Sequence, residues 1–397
     1  MSSNGKKILI VADGFGAPSY TPRLRALGDY LCEKGWDVDV VVEYIQPLSF
    51  THKYVLDEVK IYSGSKIDWT IKNIWSLLTD WKNRMFSNYV ERHYGEKHYD
   101  AVFCSTFHTF PLRAAIEFGE KHHIPVTLDL RDIVEQAPKN AHNYLLHHKG
   151  IERLFVGLFT RINLQRRNHW LTQATNVISV SPWHVEQLKQ HNQNTHLVYN
   201  GFDKAKYYFE AQKTGNFILS YTGKFFGKPI QDPTLLFEAL CELQEEINFQ
   251  LVCHTNPEGK IMLQDWIKRY NLKNCVIEDY LPTEATITLY HQSSIMLIFS
   301  NTASDRSVHG MMTTKFYEAL GVEKPVLCVR SDEECLATAI AKTNAGLAAK
   351  RVEDIKEFIK EKYKEWETKG YTHQAVKDKE RFSRQEETKQ IEKILLA

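Results

Sequence analysis

Residues 310–329 read GMMTTKFYEALGVEKPVLCV, and this stretch indicates the fold more clearly than any other. It predicts a polar loop, a short helix carrying Lys315 and Glu318, a stop at Gly321, and a buried strand that Pro325 opens. The free N–H groups and the positive dipole end at the start of such a helix suit a diphosphate. Glu318, one turn further on, suits a vicinal diol such as ribose. The alternative is an ordinary helix-to-strand connection whose Lys315 and Glu318 are only solvated.

Short apolar runs recur along the rest of the chain, with helical stretches between them. The first series covers residues 8–12, 38–42, 101–104, 126–130, 177–180 and 197–199. The second covers residues 217–221, 249–253, 275–277, 295–299 and 326–329. This alternation predicts an α/β protein with parallel sheets of βαβ units. We expect one Rossmann-like domain at residues 1–202, a polar connection, a second such domain at 217–375, and a final helix within 376–397 that returns to the first domain.

The composition indicates a globular protein without a nucleic-acid partner. The chain has 397 residues, of which 43% are hydrophobic and 25% charged, and its net charge of +1 gives no global field to recruit nucleic acid. Apolar runs stay too short for a membrane-spanning helix. The N-terminus leads directly into a strand, and the seven cysteines occur singly. We therefore expect reduced thiols and a cytoplasmic protein, with peripheral contact to the inner face of a membrane left open.

A glycine-containing loop follows the first predicted strand. Gly14 and Gly16 in this loop would let a ligand approach the backbone closely. The dinucleotide fingerprint requires a further glycine near Ser19, and that glycine is missing. Glu43, at the end of the next strand, stands where a nicotinamide enzyme has its ribose-binding acid. A nicotinamide site is thus an alternative interpretation of this loop.

Five segments, in order along most of the chain, resemble the retaining glycosyltransferases of family 4, which have the GT-B architecture. They are PRLRALGDYLCEKGWDVDVV at 22–41, VTLDLRD at 126–132, VISVSPWHVEQL at 177–188 together with VYNGFD at 198–203, YTGKFFGK at 221–228, and TKFYEALGVEKPV at 314–326. The resemblance implies two Rossmann-like domains facing each other across a cleft and a UDP- or GDP-sugar substrate without a further cofactor. Gly310 departs from the family, which often has a sugar-contacting glutamate there, so the sugar stays open.

The resemblance also assigns roles to residues. It places the donor on the second domain and the acceptor on the first. The donor-binding residues would be Gly14, Gly16, Gly223, Lys224, Lys228, Gly310, Thr313, Thr314, Lys315 and Glu318. Lys224 and Lys228 would act in catalysis by stabilising the charge on the leaving diphosphate. The alternative for both is a solvated lysine in a surface loop.

The acceptor candidates follow two strands of the first domain. His108 and Asp132 lie after predicted strands, at the carboxyl edge where α/β sheets bind ligands. Either side chain could hold or deprotonate the acceptor hydroxyl, and Arg131 would help to bind the acceptor. A packed histidine and a salt bridge between Asp132 and Arg131 are the alternatives.

No metal site is predicted. Asp37 and Asp39 copy a DxD metal motif but lie in a strand of alternating pattern, and the histidines do not have zinc-ligand spacing. GT-B enzymes are generally metal-independent, which agrees with this expectation.

Two amphipathic stretches indicate where the acceptor could reside. One apolar stripe contains Ile151, Leu154, Phe155, Leu158, Phe159 and Ile162, flanked by Arg153, Arg161, Arg166 and Arg167. The other contains Ile67, Ile71, Ile74, Trp75 and Leu78, with Trp69 and Trp81 nearby. Basic residues and tryptophan on such helices suit an anionic membrane surface that carries a lipid-linked acceptor. Packing against the protein's own core explains the same stripes, and we favour that interpretation.

The resemblance as a whole implies transfer of a hexose to a glycan or lipid-linked glycan with retention, in surface polysaccharide biosynthesis. Two alternatives stay open: a sugar-nucleotide 2-epimerase, which shares the fold, and a non-catalytic nucleotide-binding partner in polysaccharide assembly.

Overall fold

The computed structural model describes residues 5–16, 21–46, 51–62, 64–106, 109–133, 135, 151–228, 230–300, 309–331 and 334–397. Within these ranges it describes all side chains except those of residues 21, 69–70, 151–157 and 159–160. The chain forms two compact units. Unit 1 comprises Met1–Tyr199 with Glu387–Ala397, and unit 2 comprises Asn200–Glu386.

Unit 1 contains a seven-stranded parallel sheet in the order β3-β2-β1-β4-β5-β6-β7. The strands are β1 (Lys7–Ala12), β2 (Asp37–Val42), β3 (Val55–Glu58), β4 (Ala101–Thr106), β5 (Val126–Leu130), β6 (Asn176–Ser179) and β7 (Thr195–Leu197). The helices between them are α1 (Thr21–Glu33), α2 (Lys66–Thr79), α3 (Trp81–Tyr94), α4 (Leu112–His122), α5 (Ile151–Gln173) and α6 (Pro182–Lys189).

Unit 2 contains a six-stranded parallel sheet in the order β10-β9-β8-β11-β12-β13. The strands are β8 (Phe217–Thr222), β9 (Phe249–His254), β10 (Cys275–Glu278), β11 (Ile295–Phe299), β12 (Val326–Val329) and β13 (Gly346–Ala349). The helices are α7 (Thr234–Leu243), α8 (Pro257–Arg269), α9 (Thr283–Gln292), α10 (Thr314–Val322), α11 (Cys335–Thr343) and α12 (Val352–Lys369), followed by a 3₁₀ turn at Lys379–Phe382.

Both sheets are covered on their two faces, as parallel sheets require. Alternate residues of β1 point to opposite sides. Leu9 and Val11 pack in one cluster with residues of α3 and α4, whereas Ile8 and Ile10 pack in another with residues of α1. In unit 2, the buried side chains of β8 pack against those of α7 and α12. The prediction of a two-domain α/β protein with parallel sheets is confirmed.

The predicted strands agree with the structure, apart from two at the sheet edges. Every predicted apolar run overlaps a strand, but β3 and β13 were not predicted. Each lies at the outer end of its sheet and has half-buried or exposed residues in place of a fully buried run. An edge strand therefore gives a weaker apolar signal than a central strand.

The prediction that Gly321 stops its helix is wrong. The helix α10 continues to Val322, and Glu323 adopts the left-handed conformation that ends it, with φ of 51°. A Cβ atom on Gly321 would lie 2.6 Å from Cβ of Tyr207 and 2.7 Å from Cδ2 of Phe202. Glycine is therefore required for close packing against the segment that precedes β8.

The last helix, α13 (Arg384–Leu395), packs onto unit 1 beyond Glu387. The Glu392 carboxylate accepts hydrogen bonds from the Tyr30 hydroxyl at 2.7 Å and from the Trp36 indole at 3.2 Å. These bonds tie the end of the chain to its first helix and the loop after it.

All seven cysteines lie in the described ranges and are free thiols, three of them buried. None of the described helices is both long enough and apolar enough to cross a membrane.

Candidate nucleotide-sugar site

Unit 2 contains a cavity of about 240 Å³ at the carboxyl ends of its central strands, the edge where α/β sheets bind ligands. It is lined by Tyr207, Thr222, Gly223, His254, Tyr280, Leu281, Thr283, Thr286, Tyr290, Thr314, Lys315 and Glu318. The volume is slightly below the roughly 300–1,000 Å³ typical of pockets that enclose a whole ligand. It therefore fits part of a larger ligand.

Glu318 is held in this cavity by two tyrosines. The Tyr207 hydroxyl donates to Oε1 of Glu318 at 3.2 Å, and the Tyr290 hydroxyl donates to Oε2 at 2.9 Å. Burial, followed by the adjacent Glu318 charge, raises the pKa of both phenols, so both stay protonated donors. A carboxylate has about four acceptor positions. Glu318 thus keeps acceptor capacity for a ligand diol after both tyrosines have bound.

A third residue completes this hydrogen-bond chain. The Thr222 hydroxyl lies 2.5 Å from the Tyr290 hydroxyl. Because the single Tyr290 proton goes to Glu318, Thr222 is the donor to Tyr290. The chain runs from the end of β8 through α9 to α10, and it fixes the orientation of the carboxylate.

Lys315 brings a cation to the same cavity. A Cβ atom on Gly223 would lie 2.7 Å from Nζ of Lys315, so a glycine with φ of 111° makes room for this side chain. The ammonium lies 5.3 Å from the centroid of the Tyr221 ring. Burial lowers the pKa of Lys315, and the Glu318 charge opposes that shift. An anion in the cavity would oppose this shift and favour the charged form of Lys315.

The start of α10 adds backbone donors beside Lys315. Thr313 precedes the helix in an extended conformation and makes no side-chain cap hydrogen bond within the described part of the chain. The first N–H groups of a helix lack intrahelical partners and carry the positive end of the dipole. Together with the Lys315 ammonium they suit a diphosphate.

Of the eight donor residues predicted in unit 2, four line this cavity. Gly223, Thr314, Lys315 and Glu318 line it, but Lys224, Lys228, Gly310 and Thr313 lie outside the lining residues. Both loop lysines are exposed. The Lys224 ammonium lies 4.7 Å from the Phe226 ring centroid, and the Lys228 ammonium lies 3.2 Å from Oδ2 of Asp232. Among the described residues that line the cavity, Lys315 is the one with an ammonium group.

His254 was not predicted and lines the cavity from the end of β9. Its Nδ1 lies 2.9 Å from the Asp279 carbonyl oxygen. A carbonyl only accepts, so Nδ1 carries the proton and Nε2 of the neutral ring is an acceptor. Its position at the carboxyl end of a strand could have identified it. For Tyr207, in the polar connection, the sequence offered no such signal.

The glycines of unit 1 are packed against the protein itself. A Cβ atom on Gly14 would lie 2.7 Å from Cζ of Tyr44, so the Tyr44 ring occupies the space next to Gly14. Gly16 has φ of 89° and follows Phe15, which pairs with Ile45 in a short parallel bridge. The loop that contains Gly14 and Gly16 therefore contacts the segment directly after β2.

Two of the remaining candidates of unit 1, Arg131 and Asp132, directly follow β5. Arg131 is buried and Asp132 is exposed, directly after the strand. His108 lies outside the described residues. Asp129, in the strand itself, accepts hydrogen bonds from Arg23 at 2.9 and 3.0 Å, and Arg23 also binds Glu387 at 2.7 Å. Arg23 of α1 therefore links Asp129, the first acid of the DLRD segment, to Glu387 of α13.

The other acidic candidates of unit 1 are engaged with neighbouring side chains. Glu43 forms an ion pair with Lys82 at 2.7 Å. Asp39 accepts hydrogen bonds from Tyr99 at 2.5 Å and from Lys97 at 3.1 Å. Within the described ranges, no group of three His, Cys, Asp or Glu side chains is placed to hold a metal ion.

Solved structures share this fold over nearly the whole chain. Sucrose-phosphate synthase from Thermosynechococcus elongatus is 14% identical with a TM-score of 0.64, covering 98% of both chains. HepE from Anabaena, solved in complex with UDP-glucose, is 13% identical with a TM-score of 0.63, covering 98% of this chain and 99% of HepE. A putative UDP-N-acetylglucosamine 2-epimerase from Listeria monocytogenes is 13% identical with a TM-score of 0.56, covering 97% of this chain and 94% of that protein.

No protein-family model matches the sequence, and the comparison with curated proteins found no match. The structural similarity defines the fold as that of the GT-B glycosyltransferases.

Proposed function

We propose that this protein is a glycosyltransferase that transfers a sugar from a nucleoside-diphosphate sugar to an acceptor hydroxyl. The observation that carries this proposal is the placement of Glu318, Lys315 and the start of α10 around one cavity. Glu318 supplies the acceptor for a ribose diol, while Lys315 and the helix N–H groups supply donors for a diphosphate. A nucleoside diphosphate is the ligand class with both features.

The same groups account for catalysis. Breaking the anomeric C–O bond leaves charge on the departing diphosphate, and fixed donors stabilise that charge in the transition state. Hydrogen bonds to charged groups contribute about 1.5–3 kcal/mol each. In the proposed reaction, which retains configuration as the family resemblance implies, the leaving phosphate takes the proton of the incoming hydroxyl on the same face. That route requires neither a carboxylate nucleophile nor a metal ion.

The comparisons support a UDP-sugar as one donor class, since HepE was solved with UDP-glucose. A GDP-sugar is the other class that we propose to test. The acceptor we propose is a glycan or a lipid-linked glycan of a surface polysaccharide. His108, Arg131 and Asp132 of unit 1 are the residues that we assign to it.

The first test is a thermal-shift screen with UDP, GDP, ADP and CMP. A ligand that binds the native state raises the melting temperature, so the accepted nucleobase will give the largest increase. The corresponding sugar nucleotides are then incubated with the protein and glycan acceptors, and the release of the nucleoside diphosphate is measured. No stabilisation by any of the four nucleotides would contradict the proposal. Binding without turnover would indicate a non-catalytic partner.

A 2-epimerase is the second candidate, because the Listeria protein of that description has the same fold. The two activities differ in their need for an acceptor. Incubation with UDP-N-acetylglucosamine alone, followed by NMR of the sugar, will show an epimerised product only if the protein is an epimerase.

A further inference from the structure

The helix α2 exposes an apolar face. Five large side chains project into solvent, with Ile67 73% exposed and Leu78 67% exposed at the two ends of the stripe. Its members are Ile67, Ile71, Ile74, Trp75 and Leu78. Their spacing of three or four residues places them on one side of the helix. The favoured interpretation, that this stripe packs against the protein's own core, is therefore wrong.

The polar side of α2 faces the protein instead. Asn73 accepts a hydrogen bond from the Tyr62 hydroxyl at 2.9 Å, and the Lys72 ammonium donates to the Ile61 carbonyl at 3.0 Å. Ser76 is buried, and its hydroxyl accepts from the Lys82 amide at 3.2 Å. A surface helix normally buries its apolar side. In α2 this arrangement is inverted.

Arginines from neighbouring helices hold α2 in this orientation. Arg166 of α5 donates to the carbonyls of Ser76 and Leu77, at 3.3 and 2.8 Å. Arg84 of α3 donates to the Thr79 carbonyl at 2.6 Å. The Leu77 and Thr79 carbonyls, in the last turn of α2, receive side-chain donors in this way, while the Ser76 carbonyl also accepts from the Asp80 amide at 2.8 Å. The outward direction of the apolar stripe is thus fixed by the fold.

The charges around the stripe are mainly positive. Asp68 pairs with Lys72 at 2.9 Å, and Asp80, at the end of α2, pairs with Arg113 at 2.8 Å. Arg84 and Arg161 are exposed and have no acidic partner within the described residues. Leu158, one turn before Arg161 on α5, adds a further exposed apolar side chain. The side chains of residues 151–157 and 159–160, which belong to the other predicted stripe, lie outside the described residues.

We propose that the apolar face of α2 docks onto a lipid bilayer with anionic headgroups. Aliphatic side chains and a tryptophan on one helix face, next to arginines, are the features of a helix that lies in a membrane interface. The apolar side chains enter the boundary between headgroups and acyl chains, and the arginines contact the anionic headgroups. This surface is separate from the cavity of unit 2, so the inference does not depend on the proposed function.

A second copy of this chain fits the same surface less well. A two-fold symmetric dimer brings identical patches together. Such a dimer would bury Arg84 and Arg161 of both copies in one interface, where Asp68 and Asp80 are already paired with Lys72 and Arg113. Anionic headgroups compensate these charges directly.

Vesicle sedimentation tests the proposal with the full chain. Vesicles of equal parts phosphatidylglycerol and phosphatidylcholine should bind the wild-type protein more tightly than vesicles of phosphatidylcholine alone. The double variant Ile71→Ser/Leu78→Ser should bind the anionic vesicles about tenfold more weakly or worse. Arg161→Gln should weaken that binding about fivefold, because one cation near an anionic surface is lost.

Ile261→Ser is the matched control, because Ile261 of α8 is similarly exposed at 62% but lies in unit 2. It should bind vesicles like the wild type. Unchanged melting temperatures and nucleotide-induced shifts will show that the α2 variants are folded. The proposal is overturned if the wild type ignores both vesicle types, or if the double variant binds as the wild type does. A wild-type dimer in light scattering that Ile71→Ser/Leu78→Ser converts to a monomer also overturns it.

Discussion

The Tyr290 hydroxyl donates a 2.9 Å hydrogen bond to Oε2 of Glu318, across the space between α9 and α10. The Tyr207 hydroxyl binds the other oxygen of the same carboxylate. A carboxylate held on both oxygens binds a diol without first losing side-chain freedom, which is the advantage of a preorganised site. The candidate site therefore depends on tyrosines that do not belong to the motif containing Glu318.

Replacing Tyr290 by phenylalanine should weaken nucleotide binding. The substitution removes the donor that orients Glu318, and we expect a loss of about 1 kcal/mol, or roughly fivefold in Kd. Tyr208→Phe is the matched control, because Tyr208 is half exposed and lies next to Tyr207. Calorimetric titration measures both. In a double-mutant cycle with Glu318→Gln the two losses should not add. Full additivity would show that Tyr290 does not act through Glu318.

Replacing Lys315 by methionine should weaken the binding of the diphosphate group without weakening the binding of the nucleoside. The variant loses one charge-assisted contact, so affinity for the nucleoside diphosphate should fall by about 1.5–3 kcal/mol. Affinity for the free nucleoside should hardly change. Lys224→Met is the comparison, since Lys224 is exposed and lies outside the cavity lining. If Lys224→Met loses as much nucleotide affinity as Lys315→Met or more, the result would favour the prediction that Lys224 and Lys228 bind the leaving diphosphate.

The sequence predicted the elements whose signal is local. Central strands such as β1 and β12 are continuous apolar runs, which predict buried strands. Glu318 lies one turn after the start of its helix, so its distance from the helix N-terminus can be counted in the sequence. The prediction failed where the cause is tertiary. Gly321 packs against Tyr207, a residue that lies far earlier in the chain, before β8. The pairing of the Lys315 ammonium with Gly223 across the cavity is likewise a tertiary contact. Such contacts depend on how the elements pack, which spacing along the chain does not contain.

His184 should make the protein sensitive to acid. It is buried, and the Ser179 hydroxyl lies 3.2 Å from its Nδ1 while also donating to the Leu130 carbonyl. Nδ1 therefore carries the ring proton, and Nε2 is buried without a hydrogen-bond partner among the described residues. Burial lowers the pKa of His184 from 6.5 to about 3, although Glu135 opposes the shift. Protonating Nε2 would place a charge in a buried position without a hydrogen-bond acceptor among the described residues.

The sign of the pH dependence follows from this shift. Between pH 3 and 6.5 the unfolded chain binds a proton at His184 and the folded chain does not, so stability falls as the pH falls below 6.5. From pH 6.5 to 5 the loss from this group is about 2 kcal/mol. Urea unfolding of the wild type and His184→Asn at both pH values measures it. The variant should lose less stability than the wild type on acidification, and equal losses would refute the assignment.

The buried ammonium of Lys324 should lower the free energy of unfolding near neutral pH. Its side chain is 1% exposed, and its ammonium has a 3.5 Å contact to the Thr372 carbonyl. Burial lowers the pKa of Lys324 from 10.5 to about 8, against the effect of Glu365. At pH 7 the folded state still carries this buried charge, so Lys324→Met should stabilise unit 2 by about 1–3 kcal/mol.

The gain from Lys324→Met should shrink as the pH rises from 8 to 10.5, because the folded wild type then loses the proton before the unfolded chain does. Lys342→Met, at an exposed position of α11, should change the unfolding free energy little. Thermal unfolding at pH 7 and pH 10 measures both variants. A destabilised Lys324→Met protein would show that this ammonium stabilises the fold.

The most direct test is the binding of a nucleoside diphosphate to the wild type and to Glu318→Ala, measured by calorimetric titration with the nucleotide that stabilises the wild type most. If Glu318 binds the ribose, its removal should reduce the affinity by about 1.5–3 kcal/mol, which is roughly tenfold to over a hundredfold in Kd. An unchanged Kd in a folded Glu318→Ala protein would contradict a nucleotide site built around this carboxylate.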